Sequence, residues 1–125
     1  MTLKQVFLIG ACASVIAVAL CYGLAPSWFA RAFLGIGELP TDIKHVLRAV
    51  MGLYLALGLY WGWAAFNRKQ ADAAVVSILV FNAGLLAGRV VSIVADGMPA
   101  MIFLAYAAIE FTVLPVACWV LRRPA

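Results

Sequence analysis

Asn82, Leu85, Arg89, Ser92 and Asp96 follow one another at spacings of three, four, three and four. That spacing puts them on one face of a helix. All but Leu85 are polar, in a stretch otherwise built from Ala, Val, Leu, Ile and Phe. Glu110 interrupts a second apolar run, with Tyr106 one turn before it on the same face. Arg48 and Tyr54 open another run. An arginine and a carboxylate in apolar surroundings can neutralise one another, hold a polar ligand or relay protons. Other chemistry lacks its parts. His45 is the only histidine and has no second ligand at metal spacing, so no metal or haem is expected. There is no Ser-His-Asp set, no phosphate-cradling glycine loop and no pair of catalytic carboxylates. No cofactor and no enzymatic activity are expected; an enzyme would have to work with Arg, Glu, Asp and Tyr alone.

The elements that position these residues follow from composition. Of 125 residues, 67% are hydrophobic and 11% charged, against about 45–50% and about 25% in soluble domains. A soluble fold this small cannot hide so much apolar surface. Composition therefore excludes a soluble globular domain, a disordered chain and a nucleic-acid-binding module. An all-α integral membrane protein remains, its partner the lipid bilayer. Four apolar runs predict a single transmembrane domain over 1–125, with helices at about 4–24, 42–67, 72–95 and 99–122. Each must be helical, because backbone in lipid has no other way to pair its polar groups. The first run reads as an uncleaved helix, since its apolar stretch outlasts a signal-peptide core. Cys12 and Cys21 lie about 13 Å apart along it and cannot bridge. With Cys118 they read as small packing residues.

The first loop is the longest. Around 27–34 it carries Trp28, Phe29 and Phe33 in an amphipathic pattern that predicts a short interfacial helix, with Ser27 as its cap and Gly35 and Gly37 ending it. Thr41 or Asp42 is expected to cap the second long helix. Lys4, Arg68, Lys69, Arg122 and Arg123 share one side of the bundle; Arg31, Lys44 and Arg48 lie on the other. The net charge of +4 thus reads as anchoring of helix ends. By the positive-inside rule both termini are cytoplasmic in a bacterial inner membrane.

The loop at Asp96–Ala100 is short, so the third and fourth long helices are antiparallel neighbours. Counted from it, Arg89 lies about 9 Å deep and Glu110 about 14 Å. A long arginine side chain closes that gap, which predicts an Arg89–Glu110 ion pair. Arg48 enters from the same end and is expected to join it, with Asn82, Ser92, Asp96, Tyr54 and Tyr106 around it. Two readings stay open: a neutral structural knot that fixes helix register, or a polar pocket open to the outer face. Gly84, Gly88 and Ser92 form a small-residue stripe expected to admit a neighbouring helix. Pro115 frees the carbonyl of Phe111 and is expected to bend its helix.

The order Ala25-Pro26-x-Trp28-Phe29, then Arg48-Ala49-x-x-Gly52-x-Tyr54-x-x-x-Gly58, then Gly88-Arg89-x-x-Ser92-x-x-x-Asp96-Gly97, then Glu110, resembles the small bacterial membrane proteins grouped as domain of unknown function 4345. The likeness spans nearly the whole chain. It implies a four-helix inner-membrane protein without an established activity. A looser similarity to DoxX-like four-helix proteins rests on the Arg-x-x-x-Gly opening at Arg48. The leading expectation is a non-enzymatic protein that binds a small ligand, lipid or partner subunit through its Arg/Glu cluster, alone or as a homo-oligomer or part of a larger membrane complex. The alternatives are a small proton-coupled carrier and a DoxX-like accessory subunit of a membrane redox enzyme.

Overall fold

The computed structural model describes residues 1–124 and is all-helical among them. Helix α1 runs Leu3–Gly23, closed at its start by a capping box in which the Thr2 hydroxyl accepts from the Gln5 amide and the Gln5 side chain accepts from the Thr2 amide. The short helix α2 is α-helical over Pro26–Phe29 and π-wound over Ala30–Leu34. Helices α3 (Thr41–Ala64), α4 (Arg68–Asp96) and α5 (Met101–Leu121) follow. Four of the five, α1, α3, α4 and α5, are long and apolar enough to cross a membrane.

The helix ends differ from expectation for local reasons. Ser27 does not cap α2: Pro26 holds the first helical position, where its fixed φ and missing N–H fit, and Ala25 precedes it. Gly35, at φ 68°, ends the helix as the glycine reading required. Neither Thr41 nor Asp42 caps α3, because Thr41 is already helical behind the extended Pro40. Asp42 instead sits in the first turn, where a negative charge favours the helix dipole. Asn67 accepts from the Lys69 amide, so α4 starts at Arg68, earlier than hydrophobicity suggests. Helix α5 continues through Pro115 to Leu121.

Packing is uneven along the bundle. The apolar core consists of Leu8, Val15, Trp61, Ala64, Ala65, Ala71, Ala74, Val75, Ile78, Ala117 and Val120. These positions lie in the half that holds both termini. There the Trp61 indole N–H donates to Ser77 Oγ at 2.9 Å, and Lys4 pairs with Asp72, tying α1 to α4. The seam between α1 and α3 is tight because glycines admit it. A Cβ on Gly58 would meet Val15 and Ile16 at 2.8 Å, and one on Gly62 would meet Cys12 Sγ at 3.0 Å. The stripe on α4 plays no such part. Gly84 and Gly88 have nothing within 4 Å of an added Cβ, so no helix of this chain approaches there. The expected close contact is made by other glycines, because α4 turns Asn82 and Arg89 inward and Gly84 and Gly88 outward.

Candidate functional site

The half of the bundle away from the termini is held by polar and aromatic side chains. Arg89 projects from α4 toward α5 and meets Glu110 as a two-pronged pair: Nε donates to Oε2 at 2.7 Å and Nη2 to Oε1 at 2.8 Å. Both bonds are charge-assisted and in the geometry that suits guanidinium and carboxylate. Glu110 is only 6% exposed. The short turn at Gly97, whose φ of 93° only glycine adopts readily, sets α4 and α5 side by side and brings the two together.

The pair forms part of the wall of a cavity of about 440 Å³ bounded by α1, α3, α4 and α5. Tyr22, Tyr54 and Tyr106 stand at the same level, with Tyr22 6.2 Å from Tyr54 and 6.4 Å from Tyr106 between ring centroids. The guanidinium carbon lies 5.7 Å from the Tyr106 ring centroid and 5.9 Å from that of Phe103, within cation–π range. The aromatic wall continues from Tyr54 to Phe81 (5.2 Å) and from Phe81 to Trp61 (5.5 Å). Phe29 of α2 closes it from above, edge-on to Tyr22 at 5.0 Å. The hydroxyls of Tyr54 and Tyr106 have no hydrogen-bond partner among the described residues. No fully buried side-chain N or O among them lacks a partner, so these hydroxyls reach open space. Of five guanidinium donors, two are used on Glu110. The site therefore offers hydrogen bonds around a charge-balanced pair. Among the described residues no three His, Cys, Asp or Glu side chains could hold a metal ion together.

The structure brings together five of the residues read from the sequence: Arg89, Glu110, Tyr106, Tyr54 and Asn82 all line the cavity. Asn82 sits deeper and donates to the Ile78 carbonyl at 2.9 Å. Arg48, Ser92 and Asp96 stay outside the cluster, exposed and without ion pairs. Arg48 is six residues from Tyr54, about 120° around α3, and so faces away. Asp96 shares the Arg89 face but lies about 10 Å farther along, at the last residue of α4. Ser92 is rotated about 60° from Arg89. Tyr22 was not legible from one helix alone. Its signal is depth: α1 ends at Gly23, which sets Tyr22 level with the inner turns of α3 and α5. The expected interfacial helix exposes Trp28 and Phe33 but buries Pro26, Phe29 and Ala30 against the bundle, so it is also a lid on the aromatic cluster.

The family described as Domain of unknown function (DUF4345) matches residues 3–121, and the chain belongs to it. No curated protein and no solved structure matches the chain.

Proposed function

We propose that this member of the family is a multi-pass protein of the bacterial inner membrane, non-enzymatic, that binds a small ligand at the Arg89–Glu110 cluster. The carrying observation is that a charge-balanced pair and unpartnered tyrosine hydroxyls border an open cavity instead of being sealed in the core. A knot built only to fix register has no use for that space. A cavity of this size lies within the range of small-molecule sites, about 300–1,000 Å³. The ligand site then lies in the outer half of the bilayer. Lys4, Arg68, Lys69, Arg122 and Arg123 sit toward the end that holds the termini, which supports cytoplasmic termini. A green fluorescent protein fused at the C-terminus tests this orientation, since it fluoresces only when left in the cytoplasm.

The binding reading is tested by native mass spectrometry from mild detergent, on wild type and Glu110→Gln side by side. A copurified small molecule or lipid that is lost in the variant is the expected result. Equal, empty spectra from both would overturn the reading in favour of the structural knot.

A further inference from the structure

The cavity is elongated. Its α1 wall runs from Tyr22 to Val6, about 24 Å along the helix axis. Its ionised groups and unpartnered hydroxyls are gathered at the Tyr22 end: Arg89, Glu110, Tyr54 and Tyr106; Asn82 and Ser14, farther along, donate to the Ile78 and Gly10 carbonyls of their own helices. Toward the other end the walls are Val15, Ala11, Phe7, Ile78 and Val113. Between α1 and α5 the lining residues Val6, Gly10, Ser14 and Ile109 are themselves exposed, so the cavity opens sideways along the seam between these helices. On a protein that crosses a membrane, that seam faces hydrocarbon.

These features describe a ligand as well as a site. From the Tyr22 level to Gly10 is about 18 Å, close to one leaflet of tail, half of a hydrocarbon core of about 30 Å. The volume of about 440 Å³ takes about fifteen groups the size of a water molecule, at roughly 30 Å³ each. That is one chain, not two. At the polar end the Arg89 and Glu110 charges cancel, and the remaining groups are hydroxyls and spare guanidinium N–H donors. An anionic headgroup on the spare Arg89 donors would set a second negative charge beside the buried Glu110 carboxylate, with one guanidinium to balance both, which is costly. An uncharged headgroup bearing hydroxyl or carbonyl oxygens meets no such penalty.

We propose that the cavity is the site for a single-chain amphiphile with an uncharged, oxygen-bearing headgroup, which enters from the bilayer between α1 and α5. The headgroup binds at Arg89, Tyr54 and Tyr106, and the tail lies along Gly10, Ala11 and Phe7. This rests on the binding function proposed above and names its ligand class.

The test uses the full chain in phosphatidylcholine nanodiscs with monomyristoylglycerol carrying a mid-chain diazirine. Photolabelling is expected on α1 around Gly10 and Ser14 and on α5 around Ile109. Unlabelled monomyristoylglycerol should compete, and myristate, with the same tail and an anionic head, should need about tenfold more. Gly10→Phe fills the tail groove. Its Cβ meets nothing within 4 Å, so melting should not fall while labelling falls about tenfold. Labelling spread evenly over outward residues such as Val80 and Val91, labelling unchanged in Gly10→Phe, or myristate competing as well as the neutral probe would overturn the proposal. If specific labelling fails while native mass spectrometry still shows a ligand that depends on Glu110, the amphiphile is wrong and the binding site stands. If both fail, both fall.

Discussion

The Arg89–Glu110 pair can be weighed by a double-mutant cycle. Removing one partner of a buried ion pair costs about 3–5 kcal/mol, because the other charge is left without compensation. The Arg89 side chain keeps 20% of its exposure and Glu110 only 9%, so either deletion leaves a charge that solvent reaches only in part. Arg89→Met leaves the better-buried carboxylate without its partner; Glu110→Leu leaves a guanidinium that borders open space. We therefore expect about 3 kcal/mol for each single change, at the lower end of the range. Replacing both partners by apolar groups of similar size should cost less than about 1 kcal/mol. The coupling energy would then be about 5 kcal/mol, well above the limit of about 3 kcal/mol seen for ordinary contacts. The assay is reversible unfolding in mixed micelles titrated with sodium dodecyl sulfate, followed by circular dichroism. Additive losses in the double variant, or single losses below about 1 kcal/mol, would refute the pairing argument. The exchanged variant, Arg89→Glu with Glu110→Arg, should recover part of the loss in the same assay.

Gly58→Val should lower stability by about 1–3 kcal/mol in that titration, because its Cβ overlaps Val15 and Ile16. Gly84→Ala and Gly88→Ala meet nothing and should each raise it by about 0.5–1 kcal/mol through helix propensity; a loss there would reveal a contact outside this chain. Lys4 is 3% exposed while its partner Asp72 keeps 67% of its side-chain exposure. Asp72→Ala, which strands the buried ammonium, should therefore lower the melting temperature more than Lys4→Met, and the reverse order would contradict this. Trp61→Phe removes the indole donor to Ser77 and should cost about 2 kcal/mol, with loss of the most blue-shifted part of the tryptophan emission.

The four long helices were legible because each must cover a hydrocarbon core, and that length shows plainly in a chain two-thirds apolar. The Arg89–Glu110 pair was legible too, since the short loop before α5 fixes relative depth and a charge at that depth needs its opposite. Rotation about the helix axes was harder to read. Arg48 lies at the right end of α3 but on the wrong side, and only the face that α3 presents to α1, set by Gly58 and Gly62, decides this. Tyr22 was missed for a related reason. A tyrosine near a helix end looks like an interfacial anchor until the folding-back of α2 encloses it. Gly84 and Gly88 look the same in sequence as Gly58 and Gly62, yet only the second pair meets a neighbour.

The concentration of the apolar core in one half has a mechanical consequence. The α1–α3 pair, packed together as far as Gly23 and Met51, and the α4–α5 pair, tied by Arg89 and Glu110, behave as two tines clamped at a single end, where Trp61, Ala74, Ala117 and the Lys4–Asp72 tie hold them. Spreading the free ends breaks the aromatic contacts of Phe29, Tyr22 and Phe103 but leaves the clamp closed. Opening of the seam between α1 and α5 then requires only local melting, and amides around Gly97–Phe103 should exchange with solvent far sooner than those of Ala74 or Ala117. Whatever fills the cavity acts as a wedge held between the tines, and its arrival should slow exchange at the free ends while leaving the clamped ends unchanged.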